Sequence, residues 1–328
     1  MEWILRSAVC SLSSLGWIKA LKNMGFKVLG IDIKSYGRLI NEIDDFKQIK
    51  PASEQNEKEI LDTLINLQKK IKYKWIISGP ENEIMLLAKY EKLLNENGIN
   101  IFHPDYNSLI TCTDKGLVNS KVMDLIPVPK ILNSFEEIDK CLANKLILKP
   151  RKGRGSQNIF ICTKENVYKY LELLGKDKRE DFIIQEYIDG YEYSVDLLYD
   201  MNGRKLNMVV RKRIEVDSGI SVLTQTEKNP KIFLKLKSYI DYLDKMFLFR
   251  GGICIQFIHD INKEEFYLTD INPRLGGASI VSYYATKSFR ENIKNLLKGN
   301  YESLKPNLEP DYKNMILYRF YEDRFYEV

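Results

Sequence analysis

The chain has 328 residues, with 50 basic and 45 acidic side chains and a net charge of +5. Such a length buries a substantial core in two or three lobes, and so mild a charge gives no argument for nucleic acid as a partner. No apolar run reaches membrane-spanning length, and the N-terminal apolar stretch, broken by Arg6, lacks the basic start of a signal peptide. The five cysteines are scattered without a CxxC pair. The expectation is a reduced, cytoplasmic protein with no zinc site and no membrane contact.

From the N-terminus the pattern alternates strand and helix. Residues 3–9 read as a strand, and 12–24 as a helix with Leu12, Leu15, Ile18 and Leu21 on one side and Gly25 as its stop. A strand at 26–32 ends in Asp32. A helix at 57–70, a strand at 74–78, a helix at 81–95 and a short strand at 98–102 follow. This rhythm predicts a doubly wound parallel sheet. Its first turn, CSLSSLG, lacks the GxGxxG spacing, so Asp32 does not by itself indicate a ribose, and a nicotinamide cofactor is rejected. Arg6 and the serines at 11, 13 and 14 lie near that turn, where a substrate anion and a solvated loop are both open readings. His103 and His259 have no partner motif and read as structural.

From Thr111 the character changes. A helix is expected from about Thr113, with Asp114 near its N-terminus, where a carboxylate is favourable. Lys121 lies two turns later on the same face. An extended PVPK leads to a helix at 135–142 and a strand at 146–149. Then comes KPRKGRGSQNI, with Lys149 followed by Gly153, Gly155 and Ser156 in a basic turn. Glycines let backbone N–H groups approach an anion, and lysine adds charge. The spacing is not that of a Walker loop, and a basic hairpin tip has the same composition.

Residues 182–187 and 191–198 read as strands around a polar turn bracketed by Glu186 and Glu192. Past the Asn202-Gly203 hairpin signal, a strand at 205–216 sets Arg211 and Arg213 on one face. That pair suits an anionic substrate or an edge strand protected by charge. An amphipathic helix at 232–248 leads to CIQFIHDINKEEFYLTDINPRLGG. Strands at 253–259 and 265–271 flank a polar turn there. Asp270 and Asn272 are two apart and point the same way, and antiparallel pairing brings Gln256 beside them. One carboxylate and two amides form an oxygen-only donor set that suits Mg²⁺. Pro273 ends the strand and Arg274 adds a cation, although a polar hairpin end closed by an Asn-Pro turn has the same letters. A helix at 280–298 and a strand-like aromatic end complete the chain.

In this order, the DK helix, the lysine before a glycine-rich loop, QEYIDGYEY, the arginine strand and Q…DxNPR resemble the ATP-grasp superfamily. The resemblance spans about residues 114–298, and the preceding region is similar to the family's pre-ATP-grasp domain. It is closest in kind to the branch of carbamoyl-phosphate synthetase large subunits and the pyrrolysine-pathway ligase. It implies an α/β chain in three units: a doubly wound pre-ATP-grasp domain (1–110), a small lobe with a flap (111–185) and a C-terminal α+β lobe (186–328). It implies that Lys121 and Lys149 contact ATP, that Gly153, Gly155 and Ser156 form the flap, and that Glu186, Tyr187 and Ile188 grip adenine. Glu192 would meet the ribose. Gln256, Asp270 and Asn272 would hold Mg²⁺, with Mn²⁺ as a substitute. Arg211, Arg213 and Arg274 would orient the acid and its acylphosphate. Two departures stand out: Asp270 replaces the usual glutamate, and Gly276-Gly277 lies where carbamoyl-phosphate enzymes soon carry an arginine. The implied activity is the ATP-dependent joining of a small-molecule carboxylate to an amine. Bicarbonate activation and non-catalytic ATP binding are the alternatives, and a homodimer is left open.

Overall fold

The computed structural model describes residues 1–11, 13–35, 40–153, 158–217 and 219–320. The first unit comprises β1 (Trp3–Ser7), α1 (Ser14–Asn23), β2 (Lys27–Asp32), β3 (Asp45–Gln48), α2 (Glu57–Ile71), β4 (Trp75–Ile77), α3 (Glu81–Lys89), α4 (Glu91–Glu96) and β5 (Asn100–Ile101). Its strands pair in parallel in the order β3-β2-β1-β4-β5. Both faces of the sheet are covered. Ile4 packs with Trp17 and Leu21 of α1, while its neighbour Leu5 packs with Ile60 and Leu64 of α2, as alternation along a strand requires. The chain order reverses between β1 and β4, so a crevice opens beyond their carboxyl ends.

The second unit begins with α5 (Tyr106–Cys112), α6 (Lys115–Val122), α7 (Phe135–Lys140), β6 (Leu146–Pro150), β7 (Phe160–Cys162), α8 (Lys164–Leu174) and β8 (Phe182–Glu186). Its three strands run antiparallel in the order β7-β6-β8, and Leu146, Leu148, Val167 and Leu171 form a small core of their own. The third unit comprises β9 (Tyr191–Tyr199), β10 (Lys205–Asp217), β11 (Ile220–Thr226), α9 (Pro230–Leu243), β12 (Gly251–Asp260), β13 (Glu265–Asn272), α10 (Ile280–Ala285), α11 (Lys287–Lys298) and β14 (Ile316–Tyr318). Its antiparallel sheet has the order β13-β12-β9-β10-β11-β14. The chain is thus α/β, with a parallel sheet followed by two antiparallel ones.

Several elements depart from the sequence reading, each for a local reason. β3 was not anticipated because Asp45, Lys47 and Gln48 are exposed on an edge strand with no apolar run. β11 was also missed, as was α5, whose start is fixed by Asp105 accepting from the N–H groups of Asn107 and Ser108. The helix expected at 81–95 breaks at Tyr90, and that at 280–298 breaks at the extended Thr286. The helix expected at 232–248 instead starts at Pro230, after an Asn229 cap, and stops at Leu243.

The first and third units are docked closely. Gly251, at φ +68°, lies where a Cβ would come within 2.8 Å of the Phe102 carbonyl oxygen, so only glycine fits. Arg250 grips Glu91 with two hydrogen bonds of 3.0 and 2.9 Å. The Trp17 indole donates to Ser279 Oγ at 3.3 Å. One continuous apolar core runs from Ile4 and Phe102 to Val195, Phe257 and Ile293. Among the described residues no helix is long and apolar enough to cross a membrane.

Candidate active site

A cleft of about 900 Å³ lies where the three sheets meet, a size typical of sites for molecules as large as a nucleotide and its co-substrate. One wall of it is the β12–β13 hairpin. Antiparallel register sets Gln256 opposite Asp270 and Cys254 opposite Asn272, so the sequence expectation that Gln256 lies beside the two donors matches the ladder. Asn272 Nδ2 donates to Asp270 Oδ2 at 3.3 Å, and Arg274 Nη2 donates to Asn272 Oδ1 at 3.2 Å. Residues 270, 272 and 274 therefore form a linked row at the strand end. Among the described residues no group of three His, Cys, Asp or Glu side chains converges as a metal cage. With one carboxylate and two amides, this donor set fits a hard cation only if a ligand brings further oxygens and charge. That is the usual arrangement for Mg²⁺ bound with phosphates.

The facing wall is cationic. Lys149, near the end of β6, is 6% exposed. Burial, opposed by Asp270 and reinforced by Lys115, pushes its ammonium down to about 8. Lys115 Nζ lies 3.8 Å from Asp270 Oδ1 and donates to the Gly153 carbonyl at 3.1 Å. The start of α6 is held against the same loop. Asp114 caps it, accepting from the N–H groups of Gly116 and Leu117 and from Arg151. Burial alone would raise the Asp114 carboxyl, but those donors hold it below its ordinary value. Gly153 lines the cleft. Gly155 and Ser156 lie outside the described residues.

Lys121 is placed elsewhere. It is exposed, does not line the cleft, and its ammonium sits 4.9 Å from the centre of the Phe247 ring. The lysine that α6 presents to the cleft is Lys115, the first residue of the helix. The sequence reading followed the helix face two turns onward and passed over the residue next to the Asp114 cap. The DK pair itself carried the signal.

Glu186, Tyr187 and Ile188 line the cleft and are tied to the segment before α7. The Glu186 amide donates to the Lys130 carbonyl and its Oε1 accepts from the Lys130 N–H, both at 3.1 Å. Beside them, Gln185 Nε2 donates to the Pro129 carbonyl at 3.1 Å, while its buried Oε1 has no partner among the described residues. The sequence reading did not single out Gln185. A glutamine inside an apolar strand was the available cue.

The arginines differ sharply. Arg211 is 2% exposed and holds Asp196 with bonds of 2.8 and 3.1 Å. Burial works against its charge, but Asp196 and Cys254 together outweigh burial and hold the guanidinium above its ordinary value. Arg211 borders the cleft as part of an internal ion pair. Gly276 leaves the space for this, since a Cβ there would fall 2.8 Å from Cys254 Sγ and 3.2 Å from Arg211 Nη2. Arg213 pairs with Glu192 at 2.5 Å and donates to the Gly219 carbonyl at 3.2 Å. The residue expected at the acid, Arg213, and the residue expected at the ribose, Glu192, are therefore one unit. Arg274 makes no ion pair among the described residues, and its buried Nε is unpartnered.

Comparison with known proteins gives the following. A model of the ATP-grasp domain matches residues 112–278. The D-alanine–D-alanine ligase of Thermotoga petrophila is 22% identical over 228 residues, covering 69% of this chain and 60% of that protein. The chain thus spans less than two thirds of that relative's length. The structure superimposes on the biotin carboxylase domain of Hydrogenobacter thermophilus 2-oxoglutarate carboxylase, solved with MgADP and bicarbonate. There the TM-score is 0.67 and the identity 18%, over 93% of this chain and 72% of that one. It also superimposes on an L-amino acid ligase from Bacillus licheniformis with a TM-score of 0.67 and 14% identity, over 93% of this chain and 78% of that one.

Proposed function

The chain belongs to the ATP-grasp family, and on that premise we propose that it is an ADP-forming ligase joining a small-molecule carboxylate to an amine. The observation that carries this reading is the meeting, in one cleft, of a phosphate-type wall (Lys115, Lys149, Gly153) with the Gln256–Asp270–Asn272 donor row. A carboxylate is a poor acyl donor because its leaving group would be oxide. Transfer of the γ-phosphoryl group to the carboxylate gives an acylphosphate, with ADP as the departing group. The amine then attacks the acyl carbon, phosphate leaves, and the amine's proton passes to solvent or base. Mg²⁺, when bound, neutralises phosphate charge and aligns the transfer. The protein's own residues position the reactants and stabilise charge. Lys115 and Lys149 face the phosphates, the 186–188 segment meets adenine, and the unpartnered Gln185 Oε1 suits its exocyclic amine. Arg274 meets the acid. Glu192, shared with Arg213, meets the ribose edge.

The division into 1–110, 111–185 and 186–328, the cytoplasmic setting and a homodimer remain parts of this proposal. A second reading, bicarbonate activation, is favoured by the same cleft and by the carboxylase likeness. One screen separates them: amino acids and small acids are paired with amines and ADP release is read. Amine-dependent ADP release with an organic acid supports ligation, release with bicarbonate alone supports the second reading, and ATP binding without release removes both.

Two expected outcomes follow from the cationic wall. Lys115→Met should raise the KM for ATP at least about tenfold, the loss of about 1.4 kcal/mol of phosphate contact. Lys121→Met should change it less than about twofold, because its ammonium rests on Phe247. Steady-state kinetics of the two variants reads this directly, and equal effects would return Lys121 to the nucleotide.

The second outcome concerns pH. The Lys149 ammonium is the form that meets phosphate, and burial brings its loss of a proton down to about pH 8. The sign is therefore a decline: kcat/KM for ATP should hold below pH 8 and fall as pH rises through it. Because kcat/KM reports the free enzyme, kcat itself should bend at higher pH, where bound phosphates favour the ammonium. Lys149→Arg should remove the bend. A wild-type profile flat to about pH 10 would take Lys149 out of phosphate binding.

A further inference from the structure

The cleft does not end at the nucleotide side. It continues onto the first unit, where Arg6, Ser11, Ser13 and Gly79 line it beside Arg274. These residues mark the crevice where the sheet order reverses: Arg6 is on β1, Gly79 just follows β4, and the serines lead into α1. Crevices at that position of a doubly wound sheet are where ligands settle.

The crevice is built around a buried arginine that makes no ion pair among the described residues. Arg6 is 5% exposed and uses one Nη to donate to the Ile77 carbonyl at 2.8 Å. Its Nε has no partner, and it makes no ion pair among the described residues. Ser7 donates to Ser78, which donates to Glu83, each at 2.8 Å. The Ser78 N–H donates to His103 Nε2 at 3.1 Å. Burial pushes the Glu83 carboxyl up against the opposing pull of Ser7, Ser78 and the Arg6 charge, and Glu83 attracts Arg6 without forming an ion pair with it. Burial and the nearby Arg274 charge, only partly offset by Glu83, push the Arg6 guanidinium down to about 10. Two arginines that repel each other across one wall, both with unpartnered Nε, are stabilised by an anion between them. The start of α1 points the same way. Its Ser13 cap makes no side-chain capping bond and its first turn carries no acid, so the positive end of that helix is uncompensated.

We propose that Arg6, Ser11, Ser13 and the start of α1 form a second anion subsite, which holds a spectator carboxylate on one of the two substrates while Arg274 holds the reacting one. This rests on the ligase reading for its chemistry, and it names a substrate class. Either the activated acid is a dicarboxylate, or the amine is an amino acid.

The test compares matched pairs, with MgADP-saturated protein for binding and MgATP for turnover. Succinate is compared with butyrate, using hydroxylamine as an amine that needs no recognition, and L-alanine is compared with ethylamine. Binding by titration calorimetry and hydroxamate or ADP formation are read separately. In one of the two pairs the anion-bearing member should bind at least tenfold tighter. Arg6→Gln should bring that preference to twofold or less with MgADP affinity unchanged. Should Arg6→Gln fail to fold, Ser13→Asp serves instead: it places a carboxylate at the helix start, where acids favour folding, and should remove the same preference. A preference in the first pair identifies a diacid, and one in the second an amino acid. No preference in either pair, or a preference that survives substitution, overturns the subsite. A preference that Arg6→Gln abolishes, with no turnover for any pair, keeps the subsite and discards the ligase reading.

Discussion

Asp270→Asn is expected to lower kcat about a thousandfold, roughly 4 kcal/mol of transition-state stabilisation, while the melting temperature moves little. Asp270 is the one carboxylate in the donor row, and the amides of Gln256 and Asn272 bring no charge. Asparagine keeps the size and the hydrogen-bonding edge but gives up the charge that a hard cation needs. A second consequence concerns the opposite wall. The Asp270 charge props up the Lys149 ammonium against burial and against Lys115. Removing it should move the bend in kcat/KM for ATP below pH 8, so the variant loses ATP capture at a lower pH than the wild type. The two readouts are independent, since one follows the metal dependence of kcat and the other a pH profile. Wild-type turnover from Asp270→Asn would remove the donor row from catalysis, whatever its fold.

How far the chain explains itself depends on the residue. The hairpin carrying Gln256, Asp270 and Asn272 was legible because period 2 fixes facing and an antiparallel turn fixes register. Its β-bulge, between Gln256 and Phe257, left that pairing intact. The parallel sheet was legible from alternating apolar blocks, whereas β3 was not, because an exposed edge strand needs no apolar residues. The error over Lys121 came from treating a helix face as a site. Both lysines are on α6, but only the one at its first turn reaches the cleft, and tertiary docking rather than periodicity decides that. Arg211 and Arg213 share a strand face as expected, yet their partners, Asp196 and Glu192, lie on the neighbouring strand β9. Pairing across strands that are only adjacent in space cannot be read from spacing within one of them. Arg6 shows the same limit: its sequence neighbourhood also fits a solvated loop, and only burial without an ion pair among the described residues distinguishes it.

Asp196→Ala should destabilise the third unit by about 3–5 kcal/mol, the cost of leaving a buried arginine without its counter-charge. Asp196 is 1% exposed, takes both bonds from Arg211 and also accepts from Ser282 Oγ at 2.7 Å. Nothing that water can reach would replace it. Against a total stability of about 5–15 kcal/mol, this loss should lower the melting temperature by about 10 °C. That result alone does not decide what Arg211 does for substrate, since its placement at the cleft wall is compatible with a tie inside the sheet and with a contact to the acid. The double variant Asp196→Leu with Arg211→Met separates them. Replacing a buried ion pair by apolar groups of similar volume restores stability in many proteins, so the melting temperature should recover most of the loss. If kcat/KM also recovers to within about threefold of wild type, Arg211 acts only through Asp196 to hold β9 and β10 in place. If the double variant is stable but its kcat/KM remains at least about a hundredfold down, with the KM for ATP unchanged, Arg211 touches the acid or its acylphosphate. The geometry favours the first outcome: the guanidinium already satisfies Asp196 with two hydrogen bonds and approaches Cys254 Sγ at 3.4 Å, which leaves Arg274 as the better-placed cation for the substrate.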